Sequence, residues 1–246
     1  MKIIVSPAKK MKVCDDHGFD LSSPMFLRQA QALYSELTEM DPAALKKLYG
    51  CSDRMLSEIL SAYQADRMRP EGHGELSPAL LSYNGIAFRS MSPDTFSDES
   101  WDYVCRHLYV LSGLFGILRP LDGIWPYRLE MKSRLSPSLY DRWHPLTDAI
   151  FRNETILNLA SREYSDLLPS DADVVNVSFY ELMPDGSRKQ PAVYSKIARG
   201  TMVRFLAENQ IEELSELKNF DWLNYRFDPD SSDEKHYVFV RPSAKT

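Results

Sequence analysis

Ser6-Pro7-Ala8-Lys9 sets a hydroxyl and an ammonium at the spacing S-x-x-K, which penicillin-recognising enzymes use to present a serine nucleophile. The partner motifs S-D-N and K-T-G are absent, so that chemistry is set aside. Hydroxyl and ammonium together suit phosphate instead, with Lys10 beside them. A lysine buried at this point would also be a nucleophile, because burial favours the neutral amine. Lys196 and Arg199 form a second basic element. At i and i+3 they share one helix face, and cations near a helix start oppose its dipole, so they are expected to meet an anion. A third element is Arg119, Arg128 and Arg134. Arginine presents a planar fork suited to bidentate anion contact. Glu130 and Asp122 are the carboxylates among these arginines, acid or base candidates for a lysine nucleophile at Lys9 or Lys196.

Other residues shape such a site rather than react. Gly113 and Gly116 interrupt an apolar run, and glycine permits positive φ or a close approach of backbone. Tyr127, Tyr83 and Phe88 offer faces on which exposed bases stack. G-x-G-x-x-G opening a helix, the Walker A loop, H-E-x-x-H and C-x-x-C are all missing, and the five histidines are scattered. The reading therefore includes no metal and no cofactor.

The elements that must position these groups follow from periodicity and punctuation. Residues 2–5 read as a buried strand stopped by Ser6-Pro7. Helical spacing runs over 24–40, then from Asp41-Pro42 through Leu48, then from a cap at Ser52 or Asp53. Residues 66–78 read as a polar loop, and Asn84-Gly85 as a tight turn. A helix capped by Ser97 spans 97–107, followed by a strand over 109–118 broken by the glycines. Residues 119–144 read as irregular, and 145–153 as helical. Strands are expected at 155–160 and 174–180, the latter in a hairpin with 190–195. A helix over 196–209 and a strand over 236–241 complete the chain. This irregular alternation predicts an α+β fold, a mixed sheet with flanking helices, in one domain over 1–246.

Charge is segregated. The 246-residue chain has a net charge of −6, which argues against a generic basic nucleic-acid binder. Yet residues 1–12 and 187–207 carry only cations, whereas 208–234 carry nine acids against Lys218 and Arg226. If the acid-free segments meet the arginines of 119–134, a basic cleft exists on an acidic protein. No stretch is long and apolar enough to span a membrane, and no membrane partner is expected. Three dispersed cysteines point to a reducing compartment, and the expected location is the cytoplasm.

Across nearly its whole length the chain resembles the YaaA-like bacterial peroxide-stress family. The resemblance rests on Ser6-Pro7-Ala8-Lys9, the run Leu111 to Asp122, Pro126 to Met131, Asn158 to Ser161, Glu163-Tyr164, Lys196, Ala198-Arg199-Gly200, Phe227-Asp228 and Asp230-Ser231-Ser232. It implies cytoplasmic protection against hydrogen peroxide by limiting free intracellular iron and oxidative DNA damage. It also implies a positively charged cleft and a helix-hairpin-helix-like element that binds double-stranded or distorted DNA. That hairpin would fall on the Gly113–Gly116 turn, whose amides would face phosphate. Two readings follow. The first is a DNA-binding stress protein with phosphate contacts from Ser6, Lys9, Lys10, Gly113, Gly116, Arg119, Tyr127, Arg128, Arg134, Lys196 and Arg199. The alternative is an enzyme acting on a nucleotide or damaged nucleobase through a lysine nucleophile.

Overall fold

The computed structural model describes residues 1–64 and 76–243. The polar loop expected at 66–78 lies outside the described residues up to position 75. Strand β1 is Lys2–Val5, and helices α1 (Leu27–Thr38), α2 (Pro42–Tyr49) and α3 (Asp53–Gln64) follow it. Next come β2 (Ser77–Pro78), α4 (Ala79–Ser82), α5 (Ile86–Met91) and α6 (Asp98–His107). Strands β3 (Leu108–Ser112), β4 (Gly116–Leu118) and β5 (Gly123–Ile124) lead to α7 (Leu139–Phe151), β6 (Thr155–Asn158) and α8 (Arg162–Ser165). The rest is β7 (Asp173–Leu182), β8 (Arg188–Lys189), α9 (Ala192–Glu208), β9 (Arg226–Phe227) and β10 (His236–Pro242).

The main sheet runs β4-β3-β1-β6-β7-β10-β9, with β8 beside the end of β7. Its centre is parallel: β1 pairs with β3 and β6, β6 with β7, and β7 with β10. Antiparallel β4, β8 and β9 flank that centre. Helices and a mixed sheet are therefore the fold class expected. A parallel centre must be buried on both faces, and Ile3, Ile4, Val110, Ile156, Leu157 and Phe239 are fully buried or nearly so. Within this sheet the connections out of β1 and β6 diverge. The chain after β1 returns as β3 on one side, and the chain after β6 returns as β7 on the other. Open sheets bind ligands at the carboxyl ends of two such strands, because the diverging loops leave a crevice between them.

Three local expectations need correction. Residues 139–144 are helical: Ser138 and Asp141 form a capping box that starts α7 at Leu139, and Pro145 lies inside that helix rather than opening it. The partner strand of β7 is only Arg188–Lys189, since Pro191 at the N-cap starts α9 at Ala192. Asn84-Gly85 joins two short helices, α4 and α5, instead of two strands.

Candidate anion-binding site

A cavity of about 450 Å³ opens at the carboxyl ends of β1 and β6. The segment leaving β1 supplies Ser6 to Lys10, and the segment leaving β6 supplies Leu159, Ser161, Glu163 and Tyr164. Ser6 joins the two, donating from Oγ to Ser161 Oγ at 3.1 Å and accepting from Ser161 N–H at 2.8 Å. Its hydroxyl is thus committed to holding the strand ends together. The lysine loop is strapped down by two backbone bonds, from Asn84 N–H to the Lys10 carbonyl and from Lys12 N–H to the Ser82 carbonyl, both 2.8 Å. Position 85 must be glycine for this approach, because a Cβ there would lie 2.5 Å from Ala8 Cβ.

The opposite walls come from α5, α9 and the segment Tyr127–Glu130. At Gly200 the two helices nearly touch: a Cβ would sit 1.9 Å from the Ala87 carbonyl oxygen. Backbone cannot yield as a side-chain tip does. Gly200→Ala is therefore expected to cost about 3 kcal/mol of stability, at the upper end of overpacking penalties. Chemical denaturation measures this, and a loss under about 0.5 kcal/mol would show that α5 and α9 slide apart freely. Tyr127 is anchored by a chain of hydroxyls, with Tyr83 Oη 2.7 Å away on one side and Ser112 Oγ 2.6 Å away on the other. Burial pushes the Tyr127 phenol up to about 12 and that of Tyr83 well above its ordinary value. These phenols stay protonated at neutral pH and fix geometry rather than act as bases.

Charge in the site is lopsided. Lys9, Lys10, Arg89, Arg128, Lys196 and Arg199 line the cavity with Glu130 and Glu163, on a chain whose net charge is −6. Lys9 Nζ is 2.7 Å from Glu130 Oε2, and Arg128 reaches Glu130 Oε1 at 3.5 Å and Met55 Sδ at 2.9 Å. Arg89 bonds the Asn84 carbonyl at 3.2 Å. Among the described residues, Lys10, Lys196 and Arg199 have no side-chain hydrogen bond or ion pair. The Nε of Arg128 and that of Arg199 are buried without a partner. Burial with no adjacent carboxylate lowers the Arg199 pKa from its ordinary value. The arrangement suits an anion entering past exposed ammonium groups toward sheltered guanidinium groups.

Of the residues singled out by type and spacing, Ser6, Lys9, Lys10, Tyr127, Arg128, Glu130, Lys196 and Arg199 meet here. Lys9 is exposed and paired rather than buried, so the burial that would activate it as a nucleophile is missing. Arg119, Asp122 and Arg134 do not line the cavity. Asp122 is fully buried and grips the Arg119 guanidinium at 2.8 Å and Ser22 Oγ at 2.7 Å, and Arg134 is exposed elsewhere. Gly113 is buried in the turn between β3 and β4, and Gly116 is the buried first residue of β4. The flanking elements are strands, so the expected helix-hairpin-helix element is not found there. The glycines instead admit neighbours: a Cβ on Gly113 would meet the Leu129 carbonyl at 2.4 Å, and Gly116, at φ +69°, lies under the Trp143 ring. This lets Tyr127–Glu130 rest on the turn and so aims Arg128. Tyr83 is buried behind Tyr127 and out of reach of a base, whereas Phe88 lines the cavity. Sequence reasoning missed Arg89 and Glu163. Glu163 stood just past the end of a recognised strand, a position that could have flagged it.

Comparison with known proteins places this geometry in context. The model of a family described as peroxide stress protein YaaA matches residues 1–231. A UPF0246 protein of Desulfitobacterium hafniense is 40% identical over 258 aligned residues that cover 100% of each chain. One from Lactiplantibacillus plantarum is 41% identical, covering 98% of this chain and 99% of its own. A third, from Agathobacter rectalis, is 36% identical over 99% of this chain and 100% of its own.

Proposed function

The chain belongs to the YaaA peroxide stress protein family, and from that premise we propose that it protects the cell by holding DNA across the basic mouth of the cavity. In this reading it acts in the cytoplasm, against the DNA damage that peroxide causes with free intracellular iron. One observation carries the DNA contact: cations from four separate segments, Lys9 and Lys10, Arg89, Arg128, and Lys196 with Arg199, line one opening of an acidic protein. Like charges gather in this way where a polyanion offsets their repulsion. No helix among the described residues is long and apolar enough to cross a membrane, and no membrane partner enters the proposal.

Fluorescence anisotropy with duplex, single-stranded and bubble DNA across a salt series tests it. Affinity is expected to fall steeply with salt, and Lys196→Ala should make the slope of log affinity against log salt shallower by about 0.9, one phosphate contact. Absence of binding to all three DNAs at low salt would refute the proposal.

One contact favours a second reading, an enzyme acting on a nucleotide or damaged nucleobase. Lys9 Nζ and Glu130 Oε2, 2.7 Å apart on the cavity wall, are an ammonium and a carboxylate at the separation of a nucleophile and its base, a pair that reacts once the lysine has given up its proton. Turnover that survived intact in Lys9→Ala would remove Lys9 from that role.

A further inference from the structure

We infer that the cavity is a seat for one nucleoside monophosphate unit, with the phosphate taken by Arg199 and Arg128. The inference deepens the reading above, because an unpaired nucleotide in distorted DNA is one source of such a unit and a free mononucleotide is the other. Three observations support it. The first is unmet donors: Arg128 Nε and Arg199 Nε are both buried without an acceptor, and among the described residues Arg199 has no partner at all. A buried guanidinium N–H without an acceptor is costly, and a phosphate oxygen supplies what the protein does not. Arg128 is held at both ends of its fork, Nη1 on Met55 Sδ at 2.9 Å and Nη2 on Glu130 Oε1 at 3.5 Å, so its Nε is the donor left for a ligand.

The second is size and shape. About 450 Å³ is room for a nucleotide and far too little for a duplex. The cavity lies where the connections out of β1 and β6 diverge, the crevice in which open sheets hold nucleotides. The third is the lining beyond the arginines. Ile86 with the largely buried rings of Phe88 and Tyr164 forms an apolar wall of the cavity against which a base can lie, and Glu163 lines the same space as an acceptor for base or sugar donors. A bare phosphate site would need neither.

Titration calorimetry of the full chain with the four deoxynucleoside monophosphates, the matching nucleosides and inorganic phosphate tests the seat. At least one monophosphate is expected to bind with one-to-one stoichiometry and more tightly than either its nucleoside or inorganic phosphate. Arg199→Gln should weaken it roughly ten- to hundredfold, the loss of a hydrogen bond to a charged group, and Arg199→Lys should restore part of that. Phosphate binding as tightly as every monophosphate would overturn the nucleotide assignment. So would the absence of heat from all four at millimolar concentration, which the wild-type protein alone decides whether or not the variants fold. Competition by the bound monophosphate against a duplex carrying one bulged nucleotide separates the two sources: displacement assigns the seat to the unpaired residue, and its absence assigns it to the free nucleotide. Binding of monophosphate without binding of DNA would sink the proposed DNA function and leave the seat standing, and the converse result would do the reverse.

Discussion

Replacing Lys9, Lys10 and Lys196 together by alanine is expected to weaken duplex DNA binding roughly 10²- to 10³-fold at about 50 mM salt, and to make the salt slope shallower by about 2.7. The three ammonium groups are exposed at the cavity mouth, so they meet phosphate without a desolvation cost and release condensed counterions when they do. Each contributes through the salt dependence of that release, which is why slope and affinity should fall together. Lys9 has an added effect, because its removal leaves Glu130, its partner at 2.7 Å, offset only by Arg128 at 3.5 Å beside the path of the strand. Thermal stability should hardly change, since exposed pairs contribute little to folding. Anisotropy across a salt series measures both quantities. A slope identical to that of the parent protein would place the DNA on another face, whatever happened to affinity.

Arg241→Ala is expected to cost about 3–5 kcal/mol of folding stability, because Glu181 would be left as a buried charge with nothing to offset it. The Arg241 guanidinium donates to Glu181 Oε1 from Nη2 at 2.9 Å and from Nε at 3.2 Å. The two side chains are only 14% and 5% exposed, which decides that this pair is structural. Tyr194 and Tyr225 lie on the cation at 4.6 and 4.9 Å. Tyr194 stands two residues before Lys196, so the stack clamps the first turn of α9 to β10 and thereby sets where Lys196 emerges. Replacing both partners, Arg241→Met with Glu181→Leu, should recover most of the stability. Denaturant midpoints of the three proteins check this; a double variant as unstable as the single one would show that the rings, rather than the buried charge, dominate.

Most elements were legible because local physics sets them. Ser97 and Asp41 cap the helices that follow them, and the apolar runs 2–5, 155–158 and 236–241 form strands. The errors arose where two local signals competed. Pro145 marked a helix start, but the Ser138–Asp141 capping box, which begins seven residues earlier, had already opened one. The Pro184–Gly186 turn suggested a second strand over 190–195, but Pro191 at the N-cap starts a helix at Ala192.

The sequence by itself determined that the chain is a mixed α and β protein with three groups of cations on an acidic background, and the family to which these motifs point. It also placed Ser6 to Lys9 at the carboxyl end of β1, because a strand ended by Ser-Pro leaves the next residues at its tip. Only the tertiary structure decided which cations share a site. Arg119 and Arg128 are near neighbours in sequence, yet the buried carboxylate of Asp122 holds Arg119 away from the cavity while the Gly113–Gly116 turn aims Arg128 into it. Lys9 and Lys196 are far apart in the chain and line the same opening, because β1 is central in the sheet and α9 crosses α5 at the contact that Gly200 allows. Residue type and spacing state what a group can bind. Which groups bind together depends on strand order and on how closely two backbones can pack, and neither is a local property of the chain.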